Sequence, residues 1–143
     1  MILYHSSYTK IDKFELPCNG LHLGSLKSSI EAGLRKAYKY DYDVYIHKCS
    51  CFINPHNTIQ EIYDDLGEDW QSALEDLKQH NRHWIRYTNK YEPSVKKSYL
   101  TDNVELVTVL EVTQMTICKR KDIYCDPLSA PCKARVIFIV HRY

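Results

Sequence analysis

The chain predicts an α+β fold built on a mainly antiparallel sheet, and three observations carry that expectation. Two segments with helical spacing come early, near residues 25–38 and 70–77. After Asn81 the apolar and β-branched residues come in short alternating runs. Those late runs follow one another with no helix between them, and a parallel pair needs a crossover of a dozen or more residues. At 143 residues the length suits one domain spanning 1–143.

Taken in order, Ile2–His5 is a short apolar run that suits a strand, loosening through Ser6, Ser7 and Thr9 into a loop that ends near Pro17-Cys18-Asn19-Gly20. Gly20–Gly24 reads as a second short strand. Ser25 caps a helix whose apolar stripe is Leu26, Ile30, Leu34 and Ala37 or Tyr38. The density of β-branched and aromatic residues from Asp43 to Ile53 predicts a long strand stopped by Asn54-Pro55. Trp70, Ala73, Leu74 and Leu77 form a second helical stripe, with Asp64 or Asp65 placed to start it. Strands are then expected at His83–Tyr87, Lys97–Thr101, Glu105–Glu111, Thr113–Cys118 and Lys133–His141, with a loop over Asp122–Pro131.

Composition narrows the function classes. Nineteen Lys+Arg against eighteen Asp+Glu leave a formal net charge of +1, which removes the footprint of a dedicated nucleic-acid binder while leaving room for a local basic patch. Lys119-Arg120-Lys121 is such a run, and a charge run is most simply a solvated face. No apolar stretch approaches the roughly 18 residues of a membrane helix. The first residues, Met-Ile-Leu-Tyr-His-Ser-Ser, lack a basic start followed by an apolar region, so no secretory signal is read there. The expected setting is therefore cytoplasmic, in the producing or infected cell, with the six cysteines as thiols. Twelve tyrosines favour a surface for polar ligands, since each ring is apolar with a polar tip.

Two constellations bear on chemistry. His47-x-Cys49-x-Cys51 would point three zinc-ligand types to one face of a strand. Structural zinc sites present Cys-x₂₋₄-Cys pairs on turns, however, and neither this spacing nor that of Cys118, Cys125 and Cys132 fits, so buried thiols and no metal are expected. The other is an ordered set: Tyr4-His5-Ser6-Ser7, then Gly20-Leu21-His22-Leu23-Gly24-Ser25 opening a helix, then Tyr87-x-Asn89-x-x-Glu92 followed by Ser98-Tyr99.

This ordered set resembles the ADP-ribosyltransferase superfamily of the diphtheria toxin and poly(ADP-ribose) polymerase type. It is most similar to the small phage and mobile-element members, which include an anti-CRISPR ADP-ribosyltransferase. The resemblance covers about residues 2–110. It implies split, mainly antiparallel β-sheets with two or so helices around an NAD cleft. It also implies an effector that transfers ADP-ribose from NAD to a macromolecular acceptor, a protein rather than a nucleic acid.

Carried over by position, His5 matches the histidine that hydrogen-bonds the adenosine ribose. Ser6 stands where the family has a glycine whose backbone N–H and C=O hold the nicotinamide amide, and a serine backbone offers the same two groups. Ser7 matches the motif Ser/Thr. His22 occupies the place of the first nicotinamide-stacking aromatic. Gly33 and Leu34 stand where a second tyrosine is usual, with Tyr38 one turn further on as the substitute, and Tyr87 belongs to the late motif. The family glutamate before the Tyr-Ile/Leu strand is Ser98 here, which leaves Glu92 as the catalytic carboxylate beside it. Residues 54–69 and 119–133 are the expected acceptor-choosing loops.

Other readings stay open from the residues alone: a non-catalytic nucleotide- or protein-binding module on the same fold, an NAD glycohydrolase with water as acceptor, or a metal- or partner-binding α+β protein. Read without the resemblance, His5 bonds a backbone carbonyl, Tyr87 and Tyr99 are half-buried sheet residues, and Glu92 caps a solvated turn.

Overall fold

A computed structural model of the chain describes residues 1–40, 43–64, 70–89 and 97–115, together with the backbone of 140–141. Among the described residues, eight strands and two α-helices form an α+β fold of two four-stranded sheets. One sheet runs β1 (Ile2–Ser7), β3 (Val44–Cys51), β7 (Val107–Met115), β8 (Val140–His141), and every pair in it is antiparallel. The other runs β2 (Leu21–Leu23), β6 (Ser98–Thr101), β5 (Trp84–Thr88), β4 (Thr58–Asp64).

The sheets meet at one backbone bridge. Tyr4 and Gly24 each donate an N–H to the other's carbonyl at 2.9 Å. Between the sheets lies a core of Leu3, Phe14, Leu21, Leu23, Cys49, Cys51 and Trp84. Helix α1 (Leu26–Tyr40) covers the outer face of the first sheet through Ile30, Leu34 and Ala37 on Val44 and Ile46. Helix α2 (Gln71–Gln79) covers the second through Ala73 and Leu77 on Ile85, Tyr87 and Leu100.

β3 therefore has two buried faces. Val44 and Ile46 lie under α1, while His47, Cys49 and Cys51 point between the sheets. The alternation of a strand makes that division, and a strand covered on both sides loses the apolar/polar alternation of a half-exposed one. Cys49 and Cys51 are buried thiols, as expected from their spacing.

Local chemistry explains where the elements start. Ser25 caps α1, its hydroxyl accepting the Ser28 N–H at 3.1 Å, an arrangement worth about 1 kcal/mol. The stripe holds except at Leu26, which is exposed in the first turn. α2 does not begin from Asp64 or Asp65. Trp70 is its N-cap residue and makes no side-chain cap, Asp64 closes β4, and Asp65 lies outside the described residues.

β4 is a correction, since residues 54–69 read as loop from the sequence. A β-bulge between Ile59 and Ile62 breaks its alternation. Its partner β5 arrives only after α2 has carried the chain back, and β4–β5 is the one parallel pair among the described residues. The Arg86 guanidinium donates to the Gln60 carbonyl inside that bulge at 2.9 Å.

The expected strands at Glu105–Glu111 and Thr113–Cys118 are one, β7, preceded by a 3₁₀ turn at Val104–Leu106 that Asn103 caps. Its register skips one residue opposite Lys48/Cys49, so a bulge takes up what read as a break. The expectations for Asp122–Pro131, Lys119-Arg120-Lys121 and Cys118, Cys125 and Cys132 fall outside the described residues, as does most of Lys133–His141. Among the described residues no helix is long and apolar enough to cross a membrane.

Candidate functional site

Beyond the Tyr4–Gly24 bridge the sheets part, and the gap forms a narrow cleft of about 100 Å³. His5 and Ser6 from β1, His22 and Gly24 at β2, Tyr87 from β5 and Ser98 from β6 line it, with Ser28, Ser29 and Lys36 along α1. Five of the eight residues singled out from the sequence thus converge on one place although they span 94 positions of the chain.

Ser6 contributes backbone. Tyr4 uses its N–H and C=O on Gly24, away from β3, and antiparallel alternation turns those of Ser6 the same way, out of the free edge of β1. The Ser6 side chain goes under α1, where a Cβ added at Gly33 would lie 3.4 Å from the Ser6 Cβ.

His5 Nδ1 lies 2.8 Å from the His22 carbonyl. A carbonyl only accepts, so Nδ1 carries the proton and Nε2 is the acceptor of the neutral ring. Phe14 packs edge-on at 5.3 Å between centroids and His47 lies at 6.1 Å. These walls lower the His5 pKa from 6.5 to about 4: burial is the main cause, Lys36, His47 and His22 push the same way, and the bond to His22 opposes. His5 is neutral near pH 7.

His22 and Tyr87 are coupled. His22 Nδ1 is 3.0 Å from the Tyr87 hydroxyl, and Trp70 packs against both rings at 4.8 and 4.7 Å. Tyr87 is buried, not half-buried. Ser98 is 3% exposed and accepts a long hydrogen bond from the Asn89 amide at 3.5 Å. Gly24 is needed where the walls close, because a Cβ there would overlap Ser28 Oγ and lie 2.9 Å from Ser98 Oγ.

Ser7 stands apart from the cleft, and two further candidates fall outside what the structure describes. Ser7 turns its hydroxyl to the Thr9 carbonyl and is not among the lining residues. It is the last residue of β1, and a local turn bond is open to a serine there. The Tyr38 side chain and Glu92 lie outside the described residues. Lys36 was missed, although Ser28 or Ser29, Ala32 and Lys36 recur at helical spacing beside the apolar stripe and form a second, polar face of α1. Asn89 was legible as part of the late motif. Among the described residues no group of three or more His, Cys, Asp or Glu is placed to hold a metal.

No family model, curated protein or solved structure matches the chain.

Proposed function

We propose that the cleft binds NAD and that the chain is an ADP-ribosyltransferase-like protein acting on a macromolecular acceptor. The observation that carries this reading is the pair of outward-facing Ser6 backbone groups at the free edge of β1, set in a cleft ringed by His5, His22, Tyr87 and Ser98. One donor and one acceptor on the same residue match the two hydrogen-bonding groups of a carboxamide, the reactive end of NAD. His5 Nε2 offers an acceptor for a ribose hydroxyl. The Tyr87 and His22 rings offer flat apolar walls with polar tips.

Transfer breaks the bond between nicotinamide and ribose. Nicotinamide leaves with the bonding pair, the ribose carbon gains oxocarbenium character, and the acceptor's nucleophilic atom bonds to that carbon and loses its proton. A carboxylate stabilises the cationic centre and orients the nucleophile, as in glycoside cleavage. Glu92 is the residue proposed for that role, and Ser98 stands at the sequence position of the family glutamate.

The second reading, a non-catalytic nucleotide- or protein-binding module, is favoured by two facts: a hydroxyl stands at position 98, and about 100 Å³ is small beside the 300–1,000 Å³ usual for ligand sites. A dinucleotide would enter this cleft only with one end or with the walls apart.

Calorimetry with NAD, followed by a mass-spectrometric search for added ADP-ribose, separates the readings. Binding with transfer that Glu92→Gln reduces about 10²–10³-fold supports the enzyme. Binding without turnover on any acceptor or on water supports the module, and absence of binding removes both NAD readings.

A further inference from the structure

His47 is wholly buried at the centre of β3, facing the inter-sheet core, and its two ring nitrogens have very different surroundings. The Ile11 backbone N–H donates to Nε2 at 3.0 Å. A backbone N–H can only donate, so Nε2 must be unprotonated and the single ring proton sits on Nδ1. That Nδ1 is buried and makes no hydrogen bond of ordinary geometry, although the His5 and Tyr45 backbone lies near enough to favour a proton on the ring. The ring thus tolerates one proton, in one tautomer.

Ile11 belongs to the loop of residues 8–20 that joins β1 to β2, the strands that carry His5 and His22. Two contacts tie the loop to the histidines themselves. One is the Ile11–His47 hydrogen bond, and the other is Phe14, whose ring packs edge-on to His5 at 5.3 Å and to His47 at 5.7 Å. Its far end is fixed separately, by Gly20 N–H to the Pro17 carbonyl and by Gln71 to Cys18 and Asn19. The near half, residues 9–16, is anchored at the histidines by His47 and Phe14, with Ile11 also packed on the core and the Thr9 carbonyl bonded by Ser7.

We propose that His47 is a proton-operated latch: a second proton on its ring turns Nε2 from acceptor to donor against the Ile11 N–H, and residues 9–16 detach from the His5–His47 pair while the sheets stay formed. The inference rests on the loop and its hydrogen bond, independently of the NAD reading. Its consequence is local, since lifting Phe14 uncovers the His5 ring that walls the cleft.

Burial opposes the imidazolium, whereas the polar groups that face the ring favour it. Across β1 stands His5, its ring at 6.1 Å and neutral near pH 7 because its own pKa is lowered to about 4. Along β3, Cys49 is a thiol pushed up to about 12 and brings no charge near pH 7. Opposite His47 on β7 is Val112. From the loop itself, Asp12 alone favours the imidazolium, and with the backbone of His5 and Tyr45 it only partly offsets burial, which keeps the ring below its ordinary pKa.

Hydrogen exchange read at the Ile11 amide tests this, using the full chain at about pH 7.5 and pH 5.0 and protection factors corrected for intrinsic exchange. One imidazole that titrates at about 6.5 when open and stays neutral when closed raises the opening constant about 30-fold over that interval. Ile11 protection should fall by about that factor while β3 amides keep theirs. In His47→Gln the amide oxygen can accept the same N–H without titrating, so the fall should shrink to less than about threefold. Equal falls in both proteins, or a wild-type change below about threefold, overturn the latch. If His47→Gln does not fold by circular dichroism, the His47 ring shift and Ile11 protection in the wild type must share one pH midpoint, and separate midpoints overturn it equally.

Discussion

Replacing Gly24 by alanine tests the point where the two sheets join. The added Cβ would overlap Ser28 Oγ and sit 2.9 Å from Ser98 Oγ, and neither hydroxyl is at the end of a long side chain that could swing away. Ser28 Oγ is further held by donating to the Ser25 carbonyl at 3.0 Å, inside the capped first turn of α1. Gly24 cannot retreat either, because its N–H and C=O are both committed to Tyr4. Overpacking of this kind costs about 1–3 kcal/mol. For a domain of this size that is a fall in Tm of roughly 3–10 °C, read by circular dichroism. The steric account makes a second demand. Ser28→Ala removes the overlapping oxygen and leaves Ser28 Cβ at an ordinary 3.6 Å, so Gly24→Ala should cost less in that background, with a coupling of about 1 kcal/mol in the double-mutant cycle. A Gly24→Ala protein that melts within about 1 °C of the wild type, or a cycle with no coupling, would refute the reasoning.

Three further outcomes follow from the same packing. His5 has its pKa lowered from 6.5 to about 4, so the unfolded chain binds the extra proton first: this stability is fully present above about pH 6.5 and is lost as pH falls toward about 4. The loss is about 3 kcal/mol at most, and urea midpoints at about pH 7.5 and 4.5 should separate accordingly in the wild type and less in His5→Gln. Tyr87→Phe removes the hydroxyl 3.0 Å from His22 Nδ1 and should destabilise by about 1 kcal/mol in urea unfolding; an unchanged midpoint would show that the pair is not coupled. Burial pushes the Cys49 and Cys51 thiols up to about 12 and about 11, so native alkylation at about pH 8 followed by peptide mapping should label Cys18 and spare both; prompt labelling of Cys49 would contradict the packed core.

The sequence by itself determined what depends on neighbours a few residues apart. The α1 cap at Ser25, the stripes of α1 and α2, the turn at Gly20 with its φ of 74°, and β1, β2, β3, β5 and β6 all follow from local periodicity and punctuation. Chain order alone also nominated His5, Ser6, His22, Tyr87 and Ser98, which the fold gathers at one cleft. What the tertiary structure decided is what depends on a distant partner. β4 is a strand because α2 returns β5 beside it, and its bulge hid the alternation that would have announced it. Ser6 offers its backbone because Tyr4 spends its own on Gly24, a contact between residues 20 positions apart. Ser7 turns away because the strand ends at it, and Lys36 reaches the cleft because α1 crosses the outer face of β1 and β3. His47 stood out in sequence only within a triplet whose spacing does not suit zinc, and in the fold its acceptor nitrogen holds a backbone N–H from a loop 36 residues earlier. Side-chain periodicity records which face of an element is buried, but carries no record of which backbone edge or ring nitrogen will find a partner, because that is set only when remote segments meet.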